Sequence, residues 1–379
     1  MEVERLEVLE VRLPFRMVFG HSLARRRDTT NVWVRVRLRD GTVGYGEAVP
    51  RAYVTGETPD SVVADITGAL AGPWWRRKFR SLEDVADALE VRYDEEGPAR
   101  GGAARCALEL ALLDAAGKHF TRSCAELLGG VRADRVEYSV VLPFVRNPLT
   151  LLGLCLKVRR YGARTAKVKV GQGRRLDLRT LAFARWAIGP RGDLRVDGNA
   201  CWTAEQALDA LPAMVARGIC AVEQPLPADD LEGLARVAEA LEPPVIVDES
   251  FHTLADARRL IERRACDALN IRLSKCGGLL TARRILAFAR ERGVPCQLGA
   301  QVGESGILTA AGRAFACAYP ELLYREGAAG RFLLEEDVTV EDTTAGPGGW
   351  APALRGPGLG VMVDETRLAR HARTRAVVA

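Results

Sequence analysis

Six lysines occur among the 54 basic residues of this chain, and three of them fall in two short motifs, Lys167-Val168-Lys169 and Lys275-Cys276-Gly277-Gly278. A chain that writes almost all its positive charge as arginine gains one thing by writing lysine. Arginine stays protonated in proteins, whereas burial and a neighbouring cation can tune lysine down until it takes protons. Lys167 and Lys169 stand two apart, so on a strand they point to one face. Their mutual repulsion and burial are expected to favour the neutral form of one, leaving it a base while the other stays charged and binds an anion. Between the two motifs, short apolar runs end in Asp197-Gly198-Asn199, Glu223-Gln224-Pro225 and Asp248-Glu249-Ser250. Any one of these acids alone reads better as a helix N-cap. Three in series, flanked by lysines, read as a metal site. Hard oxygen ligands with no adjacent His or Cys suit Mg²⁺, and Mn²⁺ nearly as well. Asp197, Glu223 and Asp248 are the expected ligands, with Asn199 and Glu249 supporting them. A metal flanked by amines on two sides is a device for removing a proton α to a carboxylate.

Such a site needs a scaffold that delivers one acid per repeat. Residues 1–60 alternate apolar and polar side chains as strands do: Val32, Val34, Val36 and Leu38 share one face, with Trp33 and three arginines on the other. Asp40-Gly41 is a hairpin turn. Residues 60–128 read as helices, most clearly over 103–120. From residue 136 the pattern changes to eight apolar runs, at 136–143, 165–170, 194–197, 219–223, 245–248, 268–273, 295–299 and 321–324. Helical segments separate them, among them 203–217, 229–241, 254–263 and 279–292. Eight βα repeats predict a parallel barrel, whose active site lies at the C-terminal ends of its strands. An open doubly wound sheet would show a Gly-rich turn after its first strand, and none is present. The expected organisation is an α+β capping domain over 1–130, a barrel over 131–335, and a tail over 336–379 that returns to the capping domain.

As a set, these motifs resemble the enolase superfamily, and within it the muconate lactonizing enzyme (muconate cycloisomerase) subgroup. Lys167-Val168-Lys169 is similar to that subgroup's KxK, the three acidic motifs to its metal ligands, and Lys275-Cys276-Gly277-Gly278 to its KxGG. Gly303-Glu304-Ser305-Gly306 resembles the segment after its seventh strand, and Gly44-Tyr45-Gly46-Glu47 a motif of its capping domain. The resemblance implies an α/β fold, a (β/α)7β TIM-like barrel with an α+β capping domain, so the last repeat lacks its helix. It also implies Lys169 and Lys275 as the acid/base pair, with Lys167 assisting. The reaction implied is Mg²⁺-dependent proton transfer through an enolate, as a cycloisomerase or a racemase/epimerase of a small carboxylate. Alternatives are an o-succinylbenzoate synthase-type or dehydratase reaction, or a carboxylate-binding protein on a retired barrel. Dipeptide epimerases of the subgroup carry Asp-x-Asp after strand eight, where this chain reads Arg325-Glu326-Gly327-Ala328. Substrate choice is expected to rest on two capping loops, 19–28 and 51–58. His21, Arg25, Tyr53, Thr55 and the barrel's Glu304 are the candidates, and Arg25-Arg26-Arg27 would suit the second carboxylate of a diacid.

Composition bounds the rest. A net charge of +5 is spread along the chain without aromatic interleaving, which argues against nucleic acid or a membrane surface as partner. The nine cysteines form no CxxC and no zinc spacing, so a reduced, cytoplasmic protein is expected. Cys155, Cys220 and Cys317 read as small core residues, and His252 as a solvated loop histidine. A homo-oligomer is expected.

Overall fold

A computed structural model describes residues 1–20, 25–70, 72, 74, 77–96 and 101–378, with backbone alone at 69–70 and 91–96. The chain opens with three antiparallel strands, β1 (Val3–Gly20), β2 (Arg25–Leu38) and β3 (Val43–Ala48). Helices α1 (Ala52–Thr55), α2 (Pro59–Asp65), α3 (Leu82–Glu96) and α4 (Gly102–Phe120) follow. The alternation in β2 buries Val32, Val34, Val36 and Leu38 as expected. Trp33, on the opposite face, is also buried, edge-on to Tyr45 with ring centroids 6.3 Å apart. Gly44 and Gly46 let β3 lie directly on α4, because a side-chain carbon at either position would meet the helix backbone within 2.4 Å.

The barrel begins after a short β4 (Arg135–Glu137), which pairs with β12 (Trp350–Pro352) of the tail. Its seven parallel strands are β5 (Val140–Leu142), β6 (Thr165–Lys169), β7 (Asp193–Asp197), β8 (Ala221–Glu223), β9 (Val245–Val247), β10 (Ala268–Ile271) and β11 (Cys296–Leu298), side by side in chain order. The helices after them are α5 (Pro148–Tyr161), α6 (Arg174–Ile188), α7 (Ala204–Val215), α8 (Leu231–Ala240), α9 (Leu254–Glu262), the single turn α10 (Leu273–Cys276) with α11 (Leu279–Glu291), and α12 (Gly306–Ala318). Caps start several of them where the sequence supplies hydroxyls: Thr203 and Thr253 form capping boxes for α7 and α9.

The eighth apolar run is not a regular strand, yet it closes the ring. On one side Leu298 N–H donates to Tyr324 O and Glu326 N–H to Leu298 O; on the other, Ser139 N–H donates to Arg325 O at 2.8 Å. The single run expected over 136–143 is divided, because Tyr138 N–H turns away to Gly349 O and separates β4 from β5. The tail adds α13 (Gly330–Leu333), α14 (Glu365–His371) and β13 (Ala372–Val378), and β13 pairs antiparallel with β1. All nine cysteines are free; Cys155 and Cys317 are buried, while Cys220 is half-buried, its thiol within 3.4 Å of Leu194 O and the Tyr324 hydroxyl. No helix among the described residues is long and apolar enough to cross a membrane.

Candidate active site

Parallel pairing brings the chemistry to one rim. Lys169 lies opposite Asp197 in the β6–β7 register, and Asp197 opposite Glu223 in the β7–β8 register. Asp248 follows the last residue of β9, and Lys275 lies in the α10 turn just beyond β10. Their side chains form one continuous chain of ion pairs. Lys169 Nζ lies 2.5 Å from Asp197 Oδ2, which is 3.2 Å from Lys167 Nζ. Lys167 Nζ is 2.9 Å from Glu223 Oε1, and that oxygen lies 3.6 Å from Arg272 Nη2. Arg272 in turn contacts Asp248 Oδ2, and Asp248 Oδ1 accepts from Lys275 Nζ at 2.8 Å. Lys167 and Lys275 are 2% exposed and Lys169 is 6% exposed, so water does little to weaken these pairs.

The turns after the strands are shaped for this. Asn199 adopts a left-handed φ of 43°; its side-chain oxygen accepts from Lys169 at 2.7 Å and its amide donates to Glu249 at 2.9 Å. Gln224, with φ 33°, accepts from the Asp248 and Ser250 backbone N–H groups and so ties the end of β8 to the end of β9. Backbone strain of this kind persists where surrounding contacts over-determine it.

The electrostatics divide the acids. Burial raises the carboxyl of Asp197, but Lys169 and Lys167 outweigh it and hold Asp197 below the usual range. Asp248 is likewise held down, by Arg272 and Lys275 against burial. Glu223 is pushed up to about 7 by burial, with Asp197, Glu326 and Asp248 adding to the rise against Lys167. Glu249 is pushed up to about 7 by burial and by Asp248 and Asp197. Lys167 is the member of the pair that is held charged. Burial disfavours its charge, yet Glu223, Glu326 and Asp197 together hold it above the ordinary lysine range.

The donor set fits a hard divalent cation. Asp197, Glu223, Asp248 and Glu249 offer only oxygen, and Glu249 Oε2 is buried without a hydrogen-bond partner. Among the described residues no three acidic, imidazole or thiol groups stand as a ready-made cage. Lys167 lies between Asp197 and Glu223, and Arg272 between Glu223 and Asp248.

Several participants went unread in the sequence. Glu326, at the end of the eighth run, accepts from Lys167 at 2.6 Å and from Arg195 at 3.1 Å. Asn270 and Gln297 each donate to Glu223. The missed signal was parity: Arg195, Asn270 and Gln297 are polar residues inside otherwise apolar strands, two positions before Asp197, Arg272 and Gly299.

The substrate-loop candidates are placed less directly. His21 lies outside the described residues. Arg26 stacks over the Tyr53 ring at 5.6 Å, joining the two capping loops. Thr55 is engaged within its own turn, donating to Arg51 O. Glu304 accepts from Gln301 N–H and lines a small cavity with Leu273, Leu308 and Glu326, beside the ion-pair chain. Burial pushes Glu304 up to about 8. His252 is not solvated: it is half-buried, with Nε2 2.9 Å from Val54 O in the 51–58 loop.

Two family descriptions match the chain: "Mandelate racemase / muconate lactonizing enzyme, N-terminal domain" over residues 1–129 and "Enolase C-terminal domain-like" over 152–367. The chain is 30% identical to an L-Ala-D/L-Glu epimerase of Clostridium acetobutylicum, over 82% of this chain and 86% of that one. It is also 30% identical to a chloromuconate cycloisomerase of Cupriavidus pinatubonensis, over 96% of both. A dipeptide epimerase of Enterococcus faecalis, solved with Mg and the dipeptide L-Leu-L-Tyr, superposes with a TM-score of 0.84 at 26% identity, covering 95% of this chain and 99% of that one.

Proposed function

Because the chain belongs to the mandelate racemase/muconate lactonizing enzyme group of the enolase superfamily, whose isomerases act by proton abstraction next to a carboxylate, we propose that it is a Mg²⁺-dependent isomerase with Lys169 and Lys275 as its two acid/base groups. The observation that carries this reading is the ion-pair chain with Lys169 at one end and Lys275 at the other. Asp197, Glu223 and Asp248 would hold the metal, supported by Asn199 and Glu249. When bound, the ion supplies positive charge that offsets the negative charge developing on the substrate carboxylate.

The rest of the chemistry belongs to the chain. Lys167, kept charged by its carboxylates, attracts the anionic end of the substrate. One terminal lysine, as a neutral amine, takes the α-proton and becomes an ammonium, and the substrate becomes an enolate. In a racemisation the other lysine, as an ammonium, returns a proton to the opposite face. In a cycloisomerisation a single lysine suffices, adding or removing the proton on one face. The low exposure of all three lysines keeps bulk water from the proton-transfer step, while their N–H protons can still exchange with solvent between turnovers.

The cycloisomerase reading, or racemisation of a substrate without a free ammonium, is favoured over dipeptide epimerisation by Glu326. Its charge is already balanced by Lys167 and Arg195, one on each oxygen, which disfavours its also gripping a substrate ammonium. Arg26 against Tyr53 brings a cation to the capping loops, which suits a second carboxylate. The free cysteines suit a reduced, cytoplasmic setting.

Incubation of muconates, N-acylamino acids and dipeptides with the enzyme and Mg²⁺ in D₂O tests the proposal. Deuterium is expected at the carbon next to a carboxylate in at least one class, with product mass otherwise unchanged. Loss of water would move the assignment to a dehydratase or an o-succinylbenzoate synthase-type reaction. No uptake and no turnover across the set would refute the isomerase.

A further inference from the structure

The Lys275 turn is held from outside the barrel. Helix α11 begins directly after it, at Gly278, which offers no side chain to cap the first turn. Gly278 has φ +108°, and a side-chain carbon there would lie 2.3 Å from Glu109 Oε1. The space is filled instead by a carboxyl group from α4, in the capping domain. Glu109 is fully buried, and its Oε1 accepts from Leu280 N–H at 3.1 Å, doing from another domain what an N-cap residue does locally.

A second contact presses on the same turn. Gly102, at the start of α4, lies so close to the Lys275 carbonyl that a side-chain carbon would come within 2.2 Å of its oxygen. The start of α4 is itself tied to the 51–58 capping loop, since Ala103 N–H donates to Glu57 Oε1 at 2.9 Å. Arg283 of α11 reaches back to the capping domain, donating to Leu127 O at 2.7 Å and pairing with Glu90 at 3.0 Å. Among the described residues Lys169 has no such brace: its ammonium is held by Asp197 and Asn199, both from the barrel.

We propose that Glu109 is a positioning residue for Lys275: from the capping domain it fixes the turn that aims this one lysine, and leaves Lys169 to the barrel. The proposal rests on the reading of Lys275 as an acid/base group only for its catalytic meaning, and its test needs no substrate. Burial pushes Glu109 up to about 8, so it serves chiefly as a neutral hydrogen-bond acceptor, which glutamine of the same shape can replace.

The test is lysine acetylation by acetic anhydride, followed peptide by peptide in the intact protein, with Lys167 and Lys169 as internal references. In Glu109→Ala, modification of Lys275 is expected to rise about tenfold, the factor that one buried hydrogen bond of local stability is worth. Lys167 and Lys169 should hold their wild-type rates, and Glu109→Gln should return Lys275 to its own. Gly102→Ala displaces the Lys275 carbonyl without touching the hydrogen bond. It is expected to change Lys275 alone, and it serves should Glu109→Ala not fold. An unchanged Lys275 in the folded variants would overturn the proposal. So would an equal rise at all three lysines, which signals general loosening, or a failure of glutamine to restore the rate. Selective change at Lys275 with no deuterium exchange in any acid would leave the positioning intact and fault the proposed reaction instead.

Discussion

The two ends of the ion-pair chain hold their amines by different means. At the Lys169 end every partner among the described residues is a side chain: Asp197 and Asn199 for Lys169, and Asp197, Glu223 and Glu326 for Lys167. At the Lys275 end two of three hydrogen-bond acceptors are backbone carbonyls, Asp248 O at 2.7 Å and Asn270 O at 3.0 Å, and the Phe251 ring lies 4.9 Å from the ammonium. The first end is therefore defined by charge and the second by backbone geometry. An electrostatic pocket tolerates shifts of position but not loss of a partner; a geometric one has the opposite sensitivity.

Loss of a partner at the first end should have the largest effect. Glu326→Gln removes the carboxylate shared by Lys167 and Arg195, and breaking a buried pair this way costs about 3–5 kcal/mol. Calorimetry is expected to show a clear fall in Tm, while acetylation of Lys275 stays at the wild-type rate. An unmoved Tm would mean that the first end does not depend on charge.

A smaller effect should separate the ends by metal affinity. Asn199→Ala removes the bridge between Lys169 and Glu249, and supporting contacts of this kind are worth about 10–100-fold in affinity. Titration calorimetry with Mg²⁺ should show that loss. Phe251→Leu, at the other end, should leave the affinity unchanged.

The smallest effect concerns the contact between the capping domain and the barrel. Glu47 of β3 accepts from Ser305 Oγ at 2.6 Å and from Leu308 N–H at 3.0 Å, and burial pushes it up to about 7. The folded state thus holds this proton more tightly than the unfolded chain, whose carboxyl titrates at its ordinary value of about 4.3. Stability from this group is complete below that value and is lost as pH rises towards 7. The Tm of the wild type should fall between pH 5 and pH 8 relative to Glu47→Gln, whose curve should be flatter. Parallel curves would mean that Glu47 does not titrate on folding.

Much of the barrel was legible because its signals are local. Apolar runs at βα spacing, capping residues such as Thr203 and Thr253, and an acid at the ends of three successive strands place the seven strands and the three carboxylates. The closing segment was readable as an eighth run, but its irregular pairing was not, because Ser139, Leu298 and Arg325 meet only in three dimensions. The polar interior was half legible. Arg195, Asn270 and Gln297 show the right parity, yet nothing in a single strand says that they meet Glu326 and Glu223. The capping contacts were not legible at all: Glu47 and Ser305 are 258 residues apart, and Glu109 and Leu280 are 171 apart. No spacing rule reaches that far. His252 read as solvated for the same reason, since its partner Val54 lies 198 residues away.

The central claim is that two lysines, one at each end of this chain of charges, move the proton. It is tested most directly by solvent deuterium exchange at saturating Mg²⁺, on an acid that the wild type labels, in Lys169→Ala and Lys275→Ala enzymes of verified fold. Loss of a positioned acid or base typically costs about 10²–10⁴-fold in rate. At least one variant should fall that far in labelling of a given substrate, and in a racemisation both should also lose conversion to the opposite enantiomer. Wild-type labelling by both variants would contradict the account.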